Sequence, residues 1–569
     1  MTPGPLTVLR IQVVAAFFAI MAAMLVWRLF DLQVTQRAFL QAKANDRHHR
    51  VIAIPALRGR ILDRHGEPLS ISAPVESIWA EPAVAMGAPD ARFAALAEAL
   101  QMTPERLSER LADGASQFVY LRRGLAPRQA DRIMAVQAPG VHRQREYRRY
   151  YPGGEMAAQL VGFADVDQNG QEGVERMADA TLRSVAGRRL VVRDLARDVV
   201  ADLGVIDPPR RGGDVRLTVD KRLQYLLYRE LKAAVMRHRA RAGMAILIDA
   251  GNGDVLAAVN QPSFNPNDRD TFEPARVRNR VFTDAFEPGS TMKPLVVLSA
   301  LTSDRFRPDS VIKTAPGRLR IGAHQVVDRR NHGALTPAAV IAKSSNVGAA
   351  KIALALPPGY LHERLTYLGF NRRTAVRFAG ETGGVLHPYS QWGRFGQATL
   401  SFGYGVSVSA AQLAAAYQVL ANDGVACRLR LLRSEPAYCQ PSGFRARDAA
   451  AVRRMMEAVA TPSGTAPKAA IPGYRVAGKT GTVRVAVAGG YAEDRYRALF
   501  VGMAPAHRPR LVAVVVVEEP TERGVYGGKV AAPVFARALA PALRLLNIEP
   551  SASSDLLLSA SPEPSGDAG

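Results

Sequence analysis

The sequence predicts an α+β fold in which an antiparallel sheet is flanked by helices, carried on an elongated N-terminal pedestal and held by one transmembrane helix. Three observations lead to this prediction: one long apolar segment near the start, a region of short elements up to residue 213, and strand-like runs on both sides of a helical region beyond it. The chain has 569 residues, 48% of them hydrophobic and 22% charged. This length suggests several domains, and this composition can bury their cores.

The apolar segment covers residues 11–30 and reads IQVVAAFFAIMAAMLVWRLF. A helix of this length spans roughly 30 Å, the thickness of a bilayer core. Trp27 and Arg28, near its end, are residue types that anchor at a membrane interface. A cleaved signal peptide is the main alternative, but no small-x-small cleavage site follows the segment. We therefore expect a transmembrane anchor, preceded by a short cytoplasmic tail at residues 1–10.

The charges around this anchor do not favour one orientation for the rest of the chain. Arg10 precedes the segment, whereas Arg37, Lys43, Arg47 and Arg50 follow it. The positive-inside rule counts such charges and does not favour export of the C-terminal body. We nevertheless place this body outside the cytoplasm, because of the chemistry described below.

Four regions follow the anchor. Residues 31–57 are polar and are predicted to form a helical stalk. Residues 58–213 are predicted to form a non-catalytic pedestal, which ends in the linker-like Pro-Pro-Arg-Arg-Gly-Gly at 208–213. Residues 214–548 form a second body. Residues 549–569 are rich in Ser, Pro and Ala, and we expect a disordered tail there.

The second body is predicted to contain strands, then helices, then strands. Asn252-Gly253 between two apolar runs is the strongest short-range signal for a hairpin. Strand-like runs occur at 244–248, 255–259, 475–485, 497–503 and 511–518, and helical spacing occurs at 221–238, 294–300, 338–356 and 410–422. This order favours an antiparallel sheet covered by helices over a repeating βαβ fold.

The chain is strongly basic, with a formal net charge of +23. Such a charge is typical of proteins with anionic partners. Lys and Arg recur from Arg10 to Arg544 without forming a basic, aromatic-rich helix, so we expect no nucleic-acid binding. The two cysteines, Cys427 and Cys439, can pair or remain free thiols, and a zinc site would need two further ligands. The sequence predicts no metal and no cofactor.

The first candidate motif is Phe286-Glu-Pro-Gly-Ser290-Thr-Met-Lys293-Pro294, a turn followed by an apolar run. Ser290 is expected to open a helix, because Pro294 is tolerated in the first turn, where amides have no intrahelical partner. Ser290 and Lys293 would share a face of that helix. A neutral lysine can accept the serine proton if burial or a nearby cation lowers its pKa. Ser290 is therefore the candidate nucleophile and Lys293 the candidate base.

The second candidate motif is Ser344-Ser345-Asn346, within a helical stretch. Ser344 and Asn346 could face a cleft across a helix break, where they would relay a proton and bind a substrate amide. Taken alone, both motifs are weak. Ser-x-x-Lys recurs at Ser310-Val-Ile-Lys313 with no predicted helix to hold it, and Ser-x-Asn recurs at Ser263-Phe-Asn265. We interpret these second copies as accidental.

The third candidate motif is Gly478-Lys479-Thr480-Gly481-Thr482, in a strand-like run. On an edge strand, Gly481 would let a substrate approach the backbone closely. The hydroxyls of Thr480 and Thr482, together with the Lys479 cation, suit a terminal carboxylate. Lys479 is also the nearby cation that would lower the pKa of Lys293.

A phosphate-binding loop is the alternative interpretation of Gly-Lys-Thr. Gly473, however, opens this strand instead of ending one, so the loop pattern is absent. The order of the three motifs is more specific than any one of them. Ser-x-x-Lys, Ser-x-Asn and Lys-Thr-Gly follow one another along the chain, each in fitting local structure.

At these residues the chain resembles the penicillin-recognising serine transferases and hydrolases. It is most similar to the class B penicillin-binding proteins of the cell-division (FtsI) type. The resemblance covers nearly the whole chain, and further matching segments are Arg58–Gly66, Tyr151–Gly153, Gly170–Glu175, Pro262–Asn267, Ser401–Gly405 and Tyr526–Gly528. It implies a penicillin-binding transpeptidase fold at 214–548, on a dimerisation-type pedestal.

The resemblance also implies a mechanism. Ser290 would attack the D-Ala–D-Ala bond of a peptidoglycan stem peptide, release D-alanine, and pass the acyl group to an amine acceptor. Backbone amides of Ser290 and Thr482 would form the oxyanion hole. The implied catalytic residues are Ser290, Lys293, Ser344 and Asn346, and the implied substrate-binding residues are Lys479, Thr480, Gly481 and Thr482.

The implied partners are the stem peptides, β-lactam antibiotics, an FtsW-type lipid II polymerase and other division proteins. The implied location is the bacterial inner membrane at the division septum, with the body in the periplasm. Two features depart from the family pattern. Gln159 stands where the family commonly has a pedestal histidine, and the segment from Cys427 to Cys439 is not a feature associated with the family.

Other classes of protein remain as alternatives. An elongation-type class B transpeptidase has the same motifs, and the division type is favoured by the resemblance alone. A membrane-bound β-lactamase would share the nucleophile but hydrolyse its acyl-enzyme. A penicillin sensor would need further membrane spans or a signalling domain, and a bifunctional polymerase would need a glycosyltransferase domain. An inactive scaffold would not be expected to keep all three motifs.

Overall fold

The computed structural model describes residues 5–40, 49–112, 118–193, 199–268, 270, 272–487 and 489–551. Within these ranges, a single helix over Pro5–Phe30 contains the predicted anchor. The most apolar part of the stretch Val8–Thr35 has a mean hydropathy of 2.2 and is not buried against the rest of the chain. An unburied apolar helix of this length fits a membrane-spanning segment, as expected for the anchor. Residues 1–4 and 552–569, the ends of the two predicted tails, lie outside the described residues.

The end of the predicted stalk differs from expectation. Residues 41–48 lie outside the described residues, and His49–Ile54 form a strand instead of a helix. This strand pairs antiparallel with Gly187–Arg193, which in turn pairs with Val199–Asp207. Residues 49–54 therefore extend a sheet whose other strands lie far along the chain.

The pedestal contains short elements, as predicted. Its strands are His49–Ile54, Ile61–Leu62, Pro68–Ala80, Val119–Leu125, Val141–Tyr150, Gly187–Arg193, Val199–Asp207 and Val215–Arg216. Its helices are Pro82–Ala85, Asp90–Ala99, Pro104–Leu111, Pro127–Met134, Ala158–Val161, Gly173–Met177 and Asp179–Leu182. One part, between Ile78 and Val141, has its own hydrophobic core, whereas residues such as Ile61 and Leu160 belong to the core of the C-terminal body.

A buried ion network joins distant segments of the pedestal. Glu175 accepts from Arg58 Nε at 2.9 Å and from Arg149 Nε at 2.7 Å, and neither arginine nor Glu175 is exposed. Asp179 lies 2.7 Å from Arg58 Nη1. Buried charges are tolerated only when they are paired in this way. This network brings together the matching motifs around Arg58 and Glu175, which lie far apart in sequence.

The predicted linker is packed against the pedestal. A Cβ atom on Gly59 would lie 1.9 Å from Gly213 O, so the two segments approach closely. Ile61 pairs with Val215 in parallel, which joins the pedestal to the body through one sheet. Gln159 adds a second connection, since its Nε2 donates to Pro262 O and Arg276 O. Gln159 therefore contributes a contact between pedestal and body.

The C-terminal body is built on a five-stranded antiparallel sheet. In spatial order its strands are Val255–Gln261, Ala242–Asp249, Leu511–Glu518, Gly490–Ala504 and Ala477–Val487. This arrangement confirms the predicted antiparallel sheet and the hairpin at Asn252-Gly253. The strand Ala477–Val487, here named the edge strand, lies at one margin of the sheet, as predicted for the third motif.

Helices cover this sheet. They are Lys221–Arg237, Pro274–Val277, Arg280–Thr283, Lys293–Thr302, Pro337–Lys343, Asn346–Leu354, Pro358–Tyr367, Arg394–Leu400, Ala410–Ala421, Ala446–Glu457, Gly527–Val530 and Ala532–Leu545. Four two-stranded pairs accompany them: Ile312–Lys313 with Ala334–Leu335, Arg318–Ile321 with His324–Val327, Val385–Leu386 with Val406–Ser407, and Val425–Cys427 with Cys439–Pro441.

The structure decides the pairing of the cysteines, which the sequence left open, and corrects the start of the predicted tail. Cys427 and Cys439 face each other in paired strands and form a disulfide. The predicted disordered tail begins too early, because Ser551 N donates to Gly473 O and Arg475 N donates to Ser551 Oγ. Residues 549–551 are thus held against the body.

Candidate active site

Ser290 lies in a tight turn at the start of the helix Lys293–Thr302, here named the nucleophile helix. Residues Gly289–Met292 form one turn of 3₁₀-helix that continues directly into it. Gly289 has a φ of +57°, and a Cβ atom there would lie 2.3 Å from Val483 Cγ2 on the edge strand. Only glycine permits both this conformation and this approach. The turn therefore fixes the half-buried Ser290 against the third motif.

Lys293 is fully buried behind Ser290. Its Nζ lies 2.9 Å from Ser290 Oγ, 2.7 Å from Ser344 O and 2.7 Å from Asn346 Oδ1. The backbone carbonyl oxygen of Ser344 and the side-chain amide oxygen of Asn346 can only accept hydrogen bonds. A neutral amine has two N–H donors for these oxygens and one lone pair for the Ser290 hydroxyl. The arrangement therefore suits an unprotonated Lys293.

The electrostatics of the site favour the same protonation state. Burial lowers the pKa of Lys293 well below its usual range. The Lys479 and Arg329 cations lower the pKa of Lys293 further, against the opposing effect of the Asp328 carboxylate. A buried ammonium loses its hydration, and neighbouring cations repel it. The predicted influence of Lys479 on Lys293 is thus confirmed, although burial is the larger cause.

The second motif occupies a break between two helices. The first helix, Pro337–Lys343, ends at Ser344, whose φ of +58° is left-handed, and Asn346 begins the next helix, Asn346–Leu354. Left-handed backbone is unfavourable for a serine and often marks a functional site. The break directs Ser344 Oγ between two amines, 3.1 Å from both Lys293 Nζ and Lys479 Nζ. Ser344 can therefore pass a proton between the two lysines or toward a ligand.

Lys479 is buried in the edge strand. Its Nζ contacts Thr480 O at 3.1 Å, and burial lowers the pKa of Lys479 to about 7. Thr480 Oγ1 donates to Thr465 Oγ1 at 3.1 Å, and Thr482 Oγ1 accepts from Gly527 N at 3.1 Å. The edge strand thus presents two threonine hydroxyls beside a lysine whose charge changes near neutral pH.

Gly481 also packs closely against another segment of the chain. A Cβ atom there would lie 3.2 Å from Pro288 O and 3.3 Å from Thr291 Cγ2. The missing side chain lets the turn around Ser290 pack onto the edge strand.

The structure brings all eight predicted site residues together. Ser290, Ser344, Asn346, Thr480 and Thr482 line one cavity of about 460 Å³, here named the cleft. Lys293 and Lys479 are buried beneath these residues. Gly481 packs against the turn that contains Ser290. The second copies of the first two motifs, at Ser310–Lys313 and Ser263–Asn265, do not line the cleft. Ser263 Oγ, for example, donates to Glu155 O in the pedestal.

Sequence reasoning missed Asp328, which holds the second motif in place. Its carboxylate accepts from Ser345 Oγ and from Asn346 N, each at 2.5 Å, and from Val347 N at 3.1 Å. A carboxylate at a helix N-terminus satisfies amides that have no helical partner. Asp328 lies in a loop after His324–Val327, where no local pattern connects it with residue 345.

We expect Asp328→Ala to slow acylation of Ser290 by on the order of 100-fold, because small displacements of catalytic groups have effects of this size. The rate of penicillin labelling measures this effect, at a temperature where circular dichroism shows the variant folded. Asp309→Ala, which removes an exposed aspartate, is the matched control. A folded Asp328→Ala protein that labels at the wild-type rate would contradict the positioning role.

The fold and the motif set together define the class of penicillin-recognising serine transferases. Residues 243–540 match the family model for the penicillin-binding protein transpeptidase domain, and residues 53–217 match the penicillin-binding protein dimerisation domain. The chain therefore belongs to the penicillin-binding protein transpeptidase family.

Individual relatives are similar over nearly the full length. The chain is 40% identical to the probable peptidoglycan D,D-transpeptidase PbpC of Pseudomonas aeruginosa, over 95% of this chain and 96% of PbpC. It is also 40% identical to the peptidoglycan D,D-transpeptidase FtsI of Escherichia coli K12, over 93% of this chain and 90% of FtsI.

Solved structures give the same result. The transpeptidase domain of Burkholderia pseudomallei penicillin-binding protein 3 is 42% identical, with a TM-score of 0.55 over 59% of this chain and 98% of that domain. Penicillin-binding protein 3 of Mycobacterium tuberculosis, solved with aztreonam, is 26% identical, with a TM-score of 0.67 over 88% of this chain and 98% of its own.

Proposed function

We propose that this protein is a peptidoglycan D,D-transpeptidase that cross-links stem peptides through an acyl-enzyme on Ser290. One observation carries the proposal: a buried lysine of lowered pKa lies 2.9 Å from a half-buried serine at the cleft. A serine hydroxyl becomes a useful nucleophile only when a base can remove its proton. Lys293 is this base, because its lone pair faces Ser290.

The reaction begins when Ser290 Oγ attacks the carbonyl carbon of the penultimate D-alanine. The hydroxyl proton moves to Lys293, and the carbonyl becomes a tetrahedral oxyanion held by the backbone amides of Ser290 and Thr482. The C–N bond then breaks, and the departing D-alanine amine receives a proton through Ser344. An amine of a second stem peptide attacks the ester, loses its proton to the same relay and regenerates Ser290.

Substrate binding involves the edge strand and Asn346. The terminal carboxylate of the donor peptide lies against the hydroxyls of Thr480 and Thr482, with Lys479 as the countercharge. Asn346, whose Nδ2 is directed toward Val327 O at 3.4 Å, holds Lys293 through Oδ1 and contacts the substrate amide.

The pH profile of acylation depends on both lysines. Lys293 must be neutral, so the rate falls as the pH drops through its lowered pKa. Lys479 must be charged, so kcat/KM falls above its pKa of about 7. Bound substrate carboxylate stabilises the cation and moves this alkaline limb to higher pH in kcat.

Lys479→Arg should remove the alkaline limb, because arginine remains protonated throughout this range. The measurement is the second-order rate constant of penicillin acylation between pH 5 and 10, for the wild type and the variant. Lys468→Arg, at an exposed position, controls for the substitution itself. Persistence of the same alkaline limb in Lys479→Arg would assign it to another group.

We propose further that the protein acts at the division septum, with the body in the periplasm and an FtsW-type lipid II polymerase among its partners. The relative named FtsI supports the division role over elongation. The disulfide between Cys427 and Cys439 supports export, since disulfides persist in oxidising compartments. This argument favours a periplasmic body, despite the charges around the anchor.

The test uses the full chain in detergent, with a fluorescent penicillin and with a stem pentapeptide plus an amine acceptor. We expect label that survives a denaturing gel, maps to Ser290 by mass spectrometry and persists for hours, together with D-alanine release and a cross-linked product. Label that disappears within minutes would indicate a β-lactamase. Stable label without cross-linked product would favour a penicillin sensor, and absence of label would favour a scaffold.

A further inference from the structure

A second cavity, of about 650 Å³, adjoins the cleft. It lies between the end of the helix Lys221–Arg237 and the start of the helix Ala532–Leu545. Lys529 lines both this cavity and the cleft. The two cavities are therefore neighbours that share this lining residue.

The second cavity is strongly cationic, and we name it the basic recess. Five of its residues are exposed cations: Arg237, Lys468, Arg523, Lys529 and Arg537. Among the described residues, none of these five has a carboxylate within 4.0 Å. The one acidic residue in the lining, Glu230, is 2.9 Å from Arg229.

Positive charge continues from the basic recess into the cleft. Arg329, Arg330 and Lys343 also line the cleft. The one acidic residue of that lining, Asp328, is engaged by Ser345 and by two backbone amides. A concave surface lined by positive charges concentrates anionic ligands there. The cleft and the basic recess together therefore fit an extended ligand that carries several negative charges.

We propose that the basic recess binds the carboxylates of an acidic peptide whose other end occupies the cleft. This inference rests on the proposed function and names a second subsite for the same substrate class. A peptide is favoured over a membrane surface because the cations surround a recess that continues the cleft, whereas a bilayer would contact cations on an outward-facing surface. The recess holds the peptide and leaves the acyl transfer itself to Ser290.

The test compares the full chain in detergent with the double variant Arg523→Gln/Arg537→Gln. Lys529 is left intact because it also lines the cleft. The matched control, Arg454→Gln/Arg544→Gln, removes two exposed arginines from surface helices outside both cavities. The probe is fluorescent acetyl-hexaglutamate, followed by anisotropy, with hexaglutamine as the uncharged peptide.

We expect hexaglutamate to bind the wild type and hexaglutamine to bind far less. The recess variant should weaken hexaglutamate binding about tenfold, since exposed ion pairs contribute up to roughly fivefold each. The control should remain within about twofold, because general surface charge acts weakly across a Debye length. In cross-linking assays the recess variant should raise KM for an acidic stem peptide and leave kcat and penicillin labelling unchanged.

Equal hexaglutamate affinity in the wild type and the recess variant would overturn the proposal. So would a variant that loses binding only to phosphatidylglycerol vesicles, which would assign the cations to a membrane. The anisotropy measurement does not depend on catalysis. Failure of penicillin labelling in the wild type would therefore overturn the proposed function without deciding the recess.

Discussion

Replacing Ser290 with alanine is expected to abolish covalent penicillin labelling and to reduce transpeptidation by on the order of 10⁶-fold, the usual consequence of losing a catalytic nucleophile. The substitution removes the oxygen atom that forms the acyl ester in the proposed mechanism. Ser290 is half-buried and its Oγ contacts Lys293 Nζ, so alanine leaves the surrounding backbone in place. Labelling on denaturing gels and the rate of D-alanine release measure the two effects.

The chain provides its own control for this substitution. Ser310 begins the second Ser-x-x-Lys copy, and its Oγ accepts from Arg307 N in a surface turn. Ser310→Ala should therefore label and turn over at wild-type rates. Residual stable label on Ser290→Ala would place the nucleophile elsewhere and overturn the mechanism.

Lys293→Met is expected to slow acylation by about 10³-fold, within the range of general-base catalysis. Methionine fills a similar volume, so packing around the nucleophile helix is retained. The carbonyl oxygens of Ser344 and Asn346 lose their donor, at a cost of about 1–3 kcal/mol each if they remain unpaired. The melting temperature should therefore fall modestly, while activity falls greatly.

The pH profile separates a base from a merely structural lysine. In Lys293→Met the acid limb should disappear, because the amine whose protonation produces that limb is gone. Lys313→Met, in the exposed second copy, should keep the wild-type rate and profile. An unchanged acid limb in Lys293→Met would show that another residue removes the serine proton.

Much of the fold follows from local rules. The Asn252-Gly253 turn between apolar runs predicts the central hairpin, and the apolar run at 11–30 predicts the anchor. Both depend on contacts between neighbours in sequence, so composition and spacing suffice. The strand His49–Ile54 depends instead on a partner at Gly187–Arg193, more than 130 residues away, and the local sequence contains no trace of that partner.

The sequence by itself determined which residues form the site, because three motifs in chain order identified all eight residues that the structure brings together. It also indicated that Lys479 would affect Lys293. Only the tertiary structure decided how far Lys293 is buried, that Ser344 adopts left-handed backbone between two amines, and that Asp328 holds this break. It also decided that Cys427 pairs with Cys439. These properties depend on desolvation and on contacts between distant segments, which exist only after the chain has folded.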